Sequence, residues 1–136
     1  MIRYLLDTSV VSELRKMKPH GAVVAWLGNL RDDQVYISAA TLGELQRGVE
    51  RVRKQDASKA REIELWLEQV EASRNLLPMD APCFRDWARL VEGKSEHLLA
   101  EAMIAATARV YGRRVATRNT SAFALLGVDL CNPFKN

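Results

Sequence analysis

Cysteine and histidine are scarce in this chain, with two residues of each. Cys83 and Cys131 lie far apart and form no CxxC pair, which excludes a disulfide framework and a cysteine-based zinc site and favours a reducing compartment. The spacing of His20 and His97 suits neither a zinc site nor a general-base pair. No apolar run reaches transmembrane length, and the run that ends before Asp7 is too short for a signal peptide. We therefore expect a cytoplasmic protein with no membrane partner.

The composition is otherwise that of an ordinary globular protein. Apolar residues make up 48% and charged residues 27%, which excludes disorder for most of the chain. A chain of 136 residues can bury a core, and no repeat or linker divides it, so we expect a single domain over residues 1–136. The net charge of +3 is weak evidence for a polyanionic partner. Two basic stretches could contact phosphates or simply be solvated: Arg47, Arg51, Arg53 and Lys54, and then Arg113, Arg114 and Arg118.

The apolar pattern predicts strands that alternate with helices. Short apolar and β-branched runs predict strands at residues 2–6, 35–37, 76–77, 115–117 and 128–130. Helical periodicity and capping residues predict helices at residues 10–16, 23–30, 38–52, 57–72, 80–93, 97–111 and 122–126. This order predicts an α/β fold with a mainly parallel sheet and helices on both faces. In such folds functional groups gather beyond the carboxyl ends of the strands.

Three acidic side chains stand out by their position. Asp7 follows the first predicted strand, Glu44 lies near the start of the helix after the second strand, and Glu101 lies on an alanine-rich helix. Each also has a purely structural explanation. Asp7 could cap the next helix, Thr41 and Glu44 match an S/T-x-x-E capping box, and Glu101 could face solvent. A fourth acid near the same place, Glu13, is expected at the surface.

Considered together, the three carboxylates favour a metal site. Carboxylates that converge on one pocket raise one another's pKa values unless a cation neutralises them. Mg²⁺ and Mn²⁺ prefer carboxylate oxygens, and such an ion can activate water and stabilise charge on a phosphodiester. The pattern therefore points to a hard divalent cation and to phosphodiester hydrolysis.

Four ordered segments carry a family resemblance. They are residues 4–14 (YLLDTSVVSEL), 38–48 (SAATLGELQRG), 99–108 (LAEAMIAATA) and 115–120 (VATRNT), and the closing 132–134 (NPF) fits the same pattern. In these segments the chain resembles PIN-domain ribonucleases, in particular toxins of the VapC and FitB type. The resemblance covers almost the whole chain, and the four blocks occur in the right order, which makes the match specific.

The resemblance implies a five-stranded, mainly parallel sheet and an endoribonuclease that is the toxin of a type II toxin–antitoxin system. It implies that Asp7, Glu44 and Glu101 hold Mg²⁺ or Mn²⁺ and that Asn119 completes the catalytic set. It also implies a small VapB-like antitoxin that blocks the site, promoter DNA bound only through that antitoxin, and a homodimer. The apolar faces that carry Trp66, Trp87 and Phe84 could form the dimer, although core packing explains these side chains more simply.

Other residues are expected to support the site or to contact RNA. Thr8, Ser9 and Thr117 are candidates for hydrogen bonds that hold the pocket, although helix capping and strand-end polarity explain them equally well. The candidate contacts to RNA phosphates are Arg47, Arg51 and Arg118.

The chain departs from the family pattern at two places. The third acid is usually Asp and here is Glu101, and Ala122 stands where many relatives that have Asn at the Asn119 position carry an Asp. Because Mg²⁺ tolerates misplaced ligands poorly, an alternative hypothesis is a catalytically impaired PIN domain that binds RNA or antitoxin without turnover. A receiver-like signalling domain is disfavoured, because neither a phospho-acceptor at the end of a middle strand nor the lysine that such a domain carries after its last strand is evident.

Overall fold

The computed structural model describes residues 1–135, so Asn136, the last residue of the predicted domain 1–136, lies outside the described residues. Strands and helices alternate along this part of the chain. The strands are Tyr4–Leu6 (β1), Val35–Ser38 (β2), Asn75–Leu77 (β3), Arg114–Ala116 (β4) and Leu130–Cys131 (β5). The helices are Thr8–Glu13 (α1), Gly21–Gly28 (α2), Ala39–Arg53 (α3), Ala57–Ser73 (α4), Ala81–Val91 (α5), Leu99–Tyr111 (α6) and Thr120–Ala124 (α7), with 3₁₀ turns at Asp32–Gln34 and Glu96–Leu98.

The sheet has the strand order β3-β2-β1-β4-β5, and every neighbouring pair is parallel. Strand β1 therefore lies at the centre. The chain first builds β2 and β3 on one side of it and then returns to the other side for β4 and β5. In a parallel sheet, the crevice beyond the carboxyl ends of the strands at such a reversal is the usual place for a binding site. Here that crevice lies between the ends of β1 and β4.

Helices cover both faces of the sheet because successive strand residues point to opposite sides. Leu5 and Val115 belong to the core under α5, α6 and α7. Their chain neighbours Leu6 and Ala116 belong to the core under α1 and α2. The predicted α/β fold, with five parallel strands in residues 1–135 and helices on both faces, is therefore confirmed.

Helix α6 packs on the sheet through small side chains. Ala102, Ala105, Ala106 and Ala108 are all fully buried. Because alanine has no side chain beyond Cβ, the helix can lie close to the strands and to α5. Gly112 ends α6 in the left-handed conformation, with φ +70°, as the sequence predicts. The close packing brings the first turn of α6 to the crevice at the ends of β1 and β4.

The last helix and the last strand are displaced from their predicted positions. Helix α7 begins two residues before the predicted range 122–126, because the carbonyl of Asn119 already accepts a hydrogen bond from the Phe123 N–H. Strand β5 lies at the end of, and beyond, the predicted range 128–130. Gly127, with φ +61°, turns the chain. The first residue that pairs with β4 is Leu130, which lies opposite Val115.

The sequence left open whether three aromatic residues belong to the core or to an interface, and the structure places two of them at the core and one at the surface. Trp66 and Trp87 are partly buried and pack against the two cores. Phe84 is 49% exposed, with its ring edge-on to Trp87 at a centroid distance of 6.3 Å. Core packing is therefore the wrong explanation for Phe84. None of the helices formed by residues 1–135 combines the length and apolar character that a membrane span requires.

Asp80, the first residue of the predicted helix 80–93, is the N-cap of α5, and it also holds the end of α6. One carboxylate oxygen accepts from the Cys83 N–H at 3.3 Å, and the other accepts from the Tyr111 hydroxyl. The hydrogen bond to Asp80 raises the pKa of Tyr111 to about 12, and the same bond lowers the pKa of Asp80. This pair therefore links the start of α5 to the end of α6.

We expect Asp80→Asn to lower the pKa of Tyr111 from about 12 towards the ordinary value of 10.0. The asparagine keeps an oxygen for the helix cap but removes the charge that disfavours tyrosinate. In the parent protein, the raised pKa of Tyr111 stabilises the folded state. This stabilisation is complete below the pKa that Tyr111 has in the unfolded chain, and it is lost as the pH rises through about 12. An alkaline ultraviolet titration measures the shift, and Tyr111→Phe identifies the signal. An unchanged titration in the Asn variant would contradict the assignment.

Candidate active site

The carboxyl ends of β1 and β4 carry the polar side chains of the crevice. The two strands pair with Leu6 opposite Ala116, so the residues that follow each strand lie side by side. The Asp7 N–H donates to the Ala116 carbonyl at 2.9 Å and continues the ladder by one bond. Asp7 and Thr117 therefore meet, although 110 positions separate them in the sequence.

Asp7 is a buried carboxylate that is held by neutral donors. Its side chain is 6% exposed, and its Oδ2 accepts hydrogen bonds from Ser9 Oγ and Thr117 Oγ1, both at 2.8 Å. Asp7 is the N-cap residue of α1 by position, but its side chain makes no capping bond, so the capping explanation is wrong. No basic side chain of residues 1–135 forms an ion pair with it. A buried anion without a counter-charge is costly, and a cation would relieve that cost.

The hydroxyls that hold Asp7 are themselves fixed by the backbone after β4. The Asn119 N–H donates to Thr117 Oγ1 at 2.9 Å, and the Arg118 N–H donates to Ser9 Oγ at 3.3 Å. Each hydroxyl accepts from the backbone and donates to the carboxylate. Ser9 and Thr117 thus contact the site as their expected supporting role requires, and the role itself stays a prediction.

Glu44 reaches the crevice from α3 and does not cap that helix. Helix α3 begins at Ala39, and Ser38 is its N-cap, whose side chain accepts from the Ala40 N–H at 3.1 Å. The capping box predicted from Thr41 and Glu44 is therefore wrong, because both residues lie inside the helix.

The third expected supporting residue, Thr8, holds the Glu44 carboxylate. Thr8 Oγ1 donates to Glu44 Oε1 at 2.8 Å and lies 3.1 Å from the Thr41 hydroxyl. Desolvation raises the pKa of Glu44, and the negative charges of Asp7 and Glu101 raise it further, against the hydrogen bond from Thr8. Glu44 therefore lies within electrostatic reach of both other acids.

Glu101 and Asn119 line the open side of the crevice. Glu101 is half-buried in the first turn of α6, and both side chains face a cavity of about 240 Å³ that Ala122 and His97 also line. Asn119 is the N-cap residue of α7, but its side chain makes no capping bond. The structure thus brings these two residues to one cavity, and the charge of Glu101 also acts on Glu44.

The donor chemistry of this crevice fits a hard divalent cation, although its geometry is open. No group of three or more acidic, histidine or cysteine side chains within residues 1–135 is arranged to hold an ion. Mg²⁺, however, usually keeps several waters and binds through one or two carboxylates rather than a complete protein cage. Oxygen donors with uncompensated negative charge meet that requirement.

Glu13 was expected at the surface, and that expectation is wrong. It is 5% exposed, pairs with Lys16 Nζ at 3.0 Å and accepts from the His20 N–H at 3.1 Å. The hydrogen bond from Lys16 is the main reason that the pKa of Glu13 is lowered. The i, i+3 spacing to Lys16 was the available signal. Glu13 already has its cation, unlike the three acids of the crevice.

The basic residues occupy different places relative to the crevice. Arg118 is exposed directly after Thr117, and its guanidinium lies 3.8 Å from the centre of the Phe134 ring. Strand β4 divides the second predicted basic stretch. Arg113 and Arg114 lie at the amino end of this strand, whereas Arg118 follows its carboxyl end. Arg53 is engaged with Glu50 and Glu64, whereas the candidates that stay exposed on α3 are Arg47 and Arg51.

One basic residue near the site was missed by sequence reasoning. Arg15 lines a groove of about 360 Å³ together with Thr8 and Glu44, and Trp66 lies in the same groove. The available signal was its spacing, because residues three or four positions apart, such as Thr8, Ser12 and Arg15, lie on one face of a helix.

Glu44→Gln is expected to raise the free energy of unfolding of the metal-free protein at neutral pH. A raised pKa means that the folded state disfavours the charged form of Glu44. The resulting loss of folding stability is absent below the ordinary pKa of 4.5 and complete above the raised pKa. The gain should be at most about 1 kcal/mol, because the side chain keeps solvent contact. Urea unfolding in EDTA at neutral and acidic pH measures it. Glu62→Gln, an exposed control, should show no such gain, and equal gains would contradict the prediction.

A family model described as the PIN domain matches residues 4–127. The match spans all the residues of the crevice, from Asp7 to Asn119. The chain belongs to the PIN domain family. The family predicted from the four sequence blocks is thus confirmed.

Individual relatives extend the match over nearly the full chain. The VapC ribonuclease Y4jK of Sinorhizobium fredii is 37% identical, over 96% of this chain and 97% of that protein. The toxin FitB of Neisseria gonorrhoeae is 36% identical, again over 96% and 97%. The crystal structure of FitAcB from Neisseria gonorrhoeae superposes with a TM-score of 0.80 at 36% identity, covering 98% of this PIN domain and 99% of that chain. The structure of FitAB bound to an IR36 DNA fragment gives a TM-score of 0.79 at 34% identity.

Proposed function

We propose that this PIN domain is a metal-dependent endoribonuclease that acts in the cytoplasm as the toxin of a toxin–antitoxin pair. The observation that carries the proposal is the crevice itself. The charges of Asp7 and Glu101 act on Glu44 there, and no basic side chain in residues 1–135 pairs with any of the three acids. The names of the two relatives, a VapC ribonuclease and a toxin, support the reaction class and the biological role.

Mg²⁺ or Mn²⁺ would be held by Asp7, Glu44 and Glu101, with Asn119 as a further oxygen donor. Such an ion supplies a water of lowered pKa and neutralises charge that develops on the phosphodiester. The chain orients the ligands. Both hydroxyl donors bind Oδ2 of Asp7, and no hydrogen bond from residues 1–135 reaches its Oδ1, which leaves that oxygen for the cation.

The protein side chains also supply substrate contacts in this proposal. The Arg118 N–H donates to Ser9, which holds Asp7, and the Arg118 guanidinium is oriented by the Phe134 ring. Arg47 and Arg51 are exposed on the helix that carries Glu44 and form no ion pair within residues 1–135. We assign these three residues to phosphates of the RNA, because guanidinium groups bind phosphate oxygens through paired hydrogen bonds.

The proposal includes an antitoxin partner. The similar FitAB has been solved bound to an IR36 DNA fragment. By analogy, a small VapB-like protein would block the crevice and would make the contact to promoter DNA. A homodimer is part of the same proposal, and the exposed Phe84 on α5 is the candidate contact.

The direct test is to incubate the full chain, free of any partner, with cellular RNA and Mg²⁺ or Mn²⁺. We expect discrete RNA fragments, no fragments in excess EDTA, and their return when the metal ion is restored. Cleavage that persists in EDTA would contradict metal dependence.

A folded protein that cleaves nothing would favour the impaired-domain alternative over the active enzyme. Glu101→Asp combined with Ala122→Asp would then be expected to create cleavage, because the pair restores the usual third acid and adds a carboxylate at the cavity.

A further inference from the structure

A second cavity lies at the opposite end of the parallel strands from Asp7. It has a volume of about 390 Å³ and lies at the amino ends of β1 and β4. Its polar and turn-forming walls are Arg3, Arg109, Arg113, Arg114, Gly127 and Asp129. From Arg3 to Asp7 is four residues of nearly extended chain, or about 13 Å, so the two sites are separate.

The charge of this cavity is strongly unbalanced. Four arginines line it, against the single carboxylate of Asp129. Neither Arg3 nor Arg114 makes a side-chain hydrogen bond or a close ion pair within residues 1–135, and the nearby Asp33 pairs with Arg31. Three guanidinium groups therefore keep uncommitted donors, since Arg113 donates only to the Tyr111 carbonyl.

Two of the four arginines are held in place before any ligand arrives. The guanidinium of Arg113 lies over the Tyr36 ring, 4.2 Å from its centre. Arg109 lies 3.1 Å from Asp86 and donates to the carbonyls of Leu126 and Gly127. Gly127 has φ +61°, and a Cβ there would lie 3.3 Å from Arg109 Nη1, so the turn approaches the guanidinium closely. Such fixed donors lose less conformational entropy when they bind an anion.

We propose that this cavity is a phosphoryl-anion site, which takes either a free nucleotide or pyrophosphate, or a phosphate of an RNA strand. Guanidinium forks match phosphate oxygens, and the three guanidinium groups without an acidic partner attract an anion to one concave surface more strongly than isolated surface arginines do. The volume is in the range of small-ligand pockets. The site differs in kind from the acidic crevice, because it binds phosphate without a metal ion.

The test uses the full chain in EDTA, with pyrophosphate as the probe and calorimetry as the readout. We expect one saturable site, with affinity reduced by at least about tenfold in the double variant Arg3→Gln/Arg114→Gln. The matched control is Arg85→Gln/Arg89→Gln, which removes the same charge from exposed positions on α5 and should bind as the parent does. Because EDTA removes the metal ion and no cleavage is measured, this result is independent of the proposed nuclease function.

Two further probes distinguish the sources of the phosphate. If the Arg3/Arg114 variant also loses affinity for a short single-stranded RNA, the phosphate belongs to RNA. If it loses affinity only for pyrophosphate and adenosine monophosphate, the ligand is a free nucleotide or a small anion. Arg3→Gln with Arg114→Lys repeats the test if the first variant fails to fold, with a smaller expected loss. Binding that does not saturate, or an equal loss in the α5 control, would overturn the proposal.

Discussion

Asp7→Asn is expected to reduce RNA cleavage by at least about a hundredfold while leaving the fold intact. The asparagine keeps an oxygen that can accept from Ser9 and Thr117, but it removes the negative charge that a divalent cation requires. Because Asp7 is 6% exposed and has no cationic partner in residues 1–135, its replacement by a neutral isostere should not lower the free energy of unfolding. Initial cleavage rates in Mg²⁺ and thermal unfolding measure the two effects.

The control for this variant is Asp56→Asn, which changes the same atoms at an exposed helix cap. Asp56 accepts from the Lys59 N–H at 3.0 Å at the start of α4, and asparagine caps helices equally well. We expect its cleavage rate to match that of the parent. Undiminished cleavage by the Asp7 variant would exclude the acidic crevice as the catalytic site.

Phe123→Ala is expected to lower the free energy of unfolding by about 3–5 kcal/mol, a large part of the stability of a typical domain. Phe123 is fully buried in the core that joins α6 and α7 to Leu5 of the central strand and Val115 of β4. Its truncation leaves a cavity behind the turn that carries Asn119. Denaturant unfolding followed by circular dichroism measures the loss.

Leu65→Ala serves as the comparison, because Leu65 is 44% exposed on α4. Surface substitutions of this kind usually change stability by less than about 1 kcal/mol. Equal losses for the two variants would contradict the position of Phe123 as a core residue.

The fold could be predicted because its signals are local. Short apolar strands, the cap at Asp80 and the stop at Gly112 each depend on a few neighbouring residues. The alternation of strands and helices then leaves few topologies. The same local rules were wrong at Thr41 and Glu44, because β2 extends to Ser38 and Ser38 takes the cap position of α3. The Ser38 hydroxyl also contacts the Thr107 hydroxyl across the core at 3.2 Å.

The site could be predicted only as a set of residue types. The acids were identified from their positions after strands and on helices, but their partners depend on the topology. Thr117 meets Asp7 across 110 positions, and His20 meets Glu13 only after the chain turns back. Of the arginine cavity, only Arg113 and Arg114 were anticipated, as possible phosphate contacts. Arg3 and Arg109 had no local signal, because they join these residues only once β1 and β4 are paired.

The acids of the crevice rest on parts of the chain that differ in their local stability. The Asp7 N–H is bonded to Ala116 beside the central strand, where amide hydrogens exchange with solvent mainly through unfolding of the whole domain. Glu101 lies in the first turn of α6, directly after a 3₁₀ turn, where helix ends open far more often. Fraying of that single turn moves one carboxylate away and leaves the other in place. We therefore expect the Glu101 side of the crevice to be more mobile than the Asp7 side, without any loosening of the sheet.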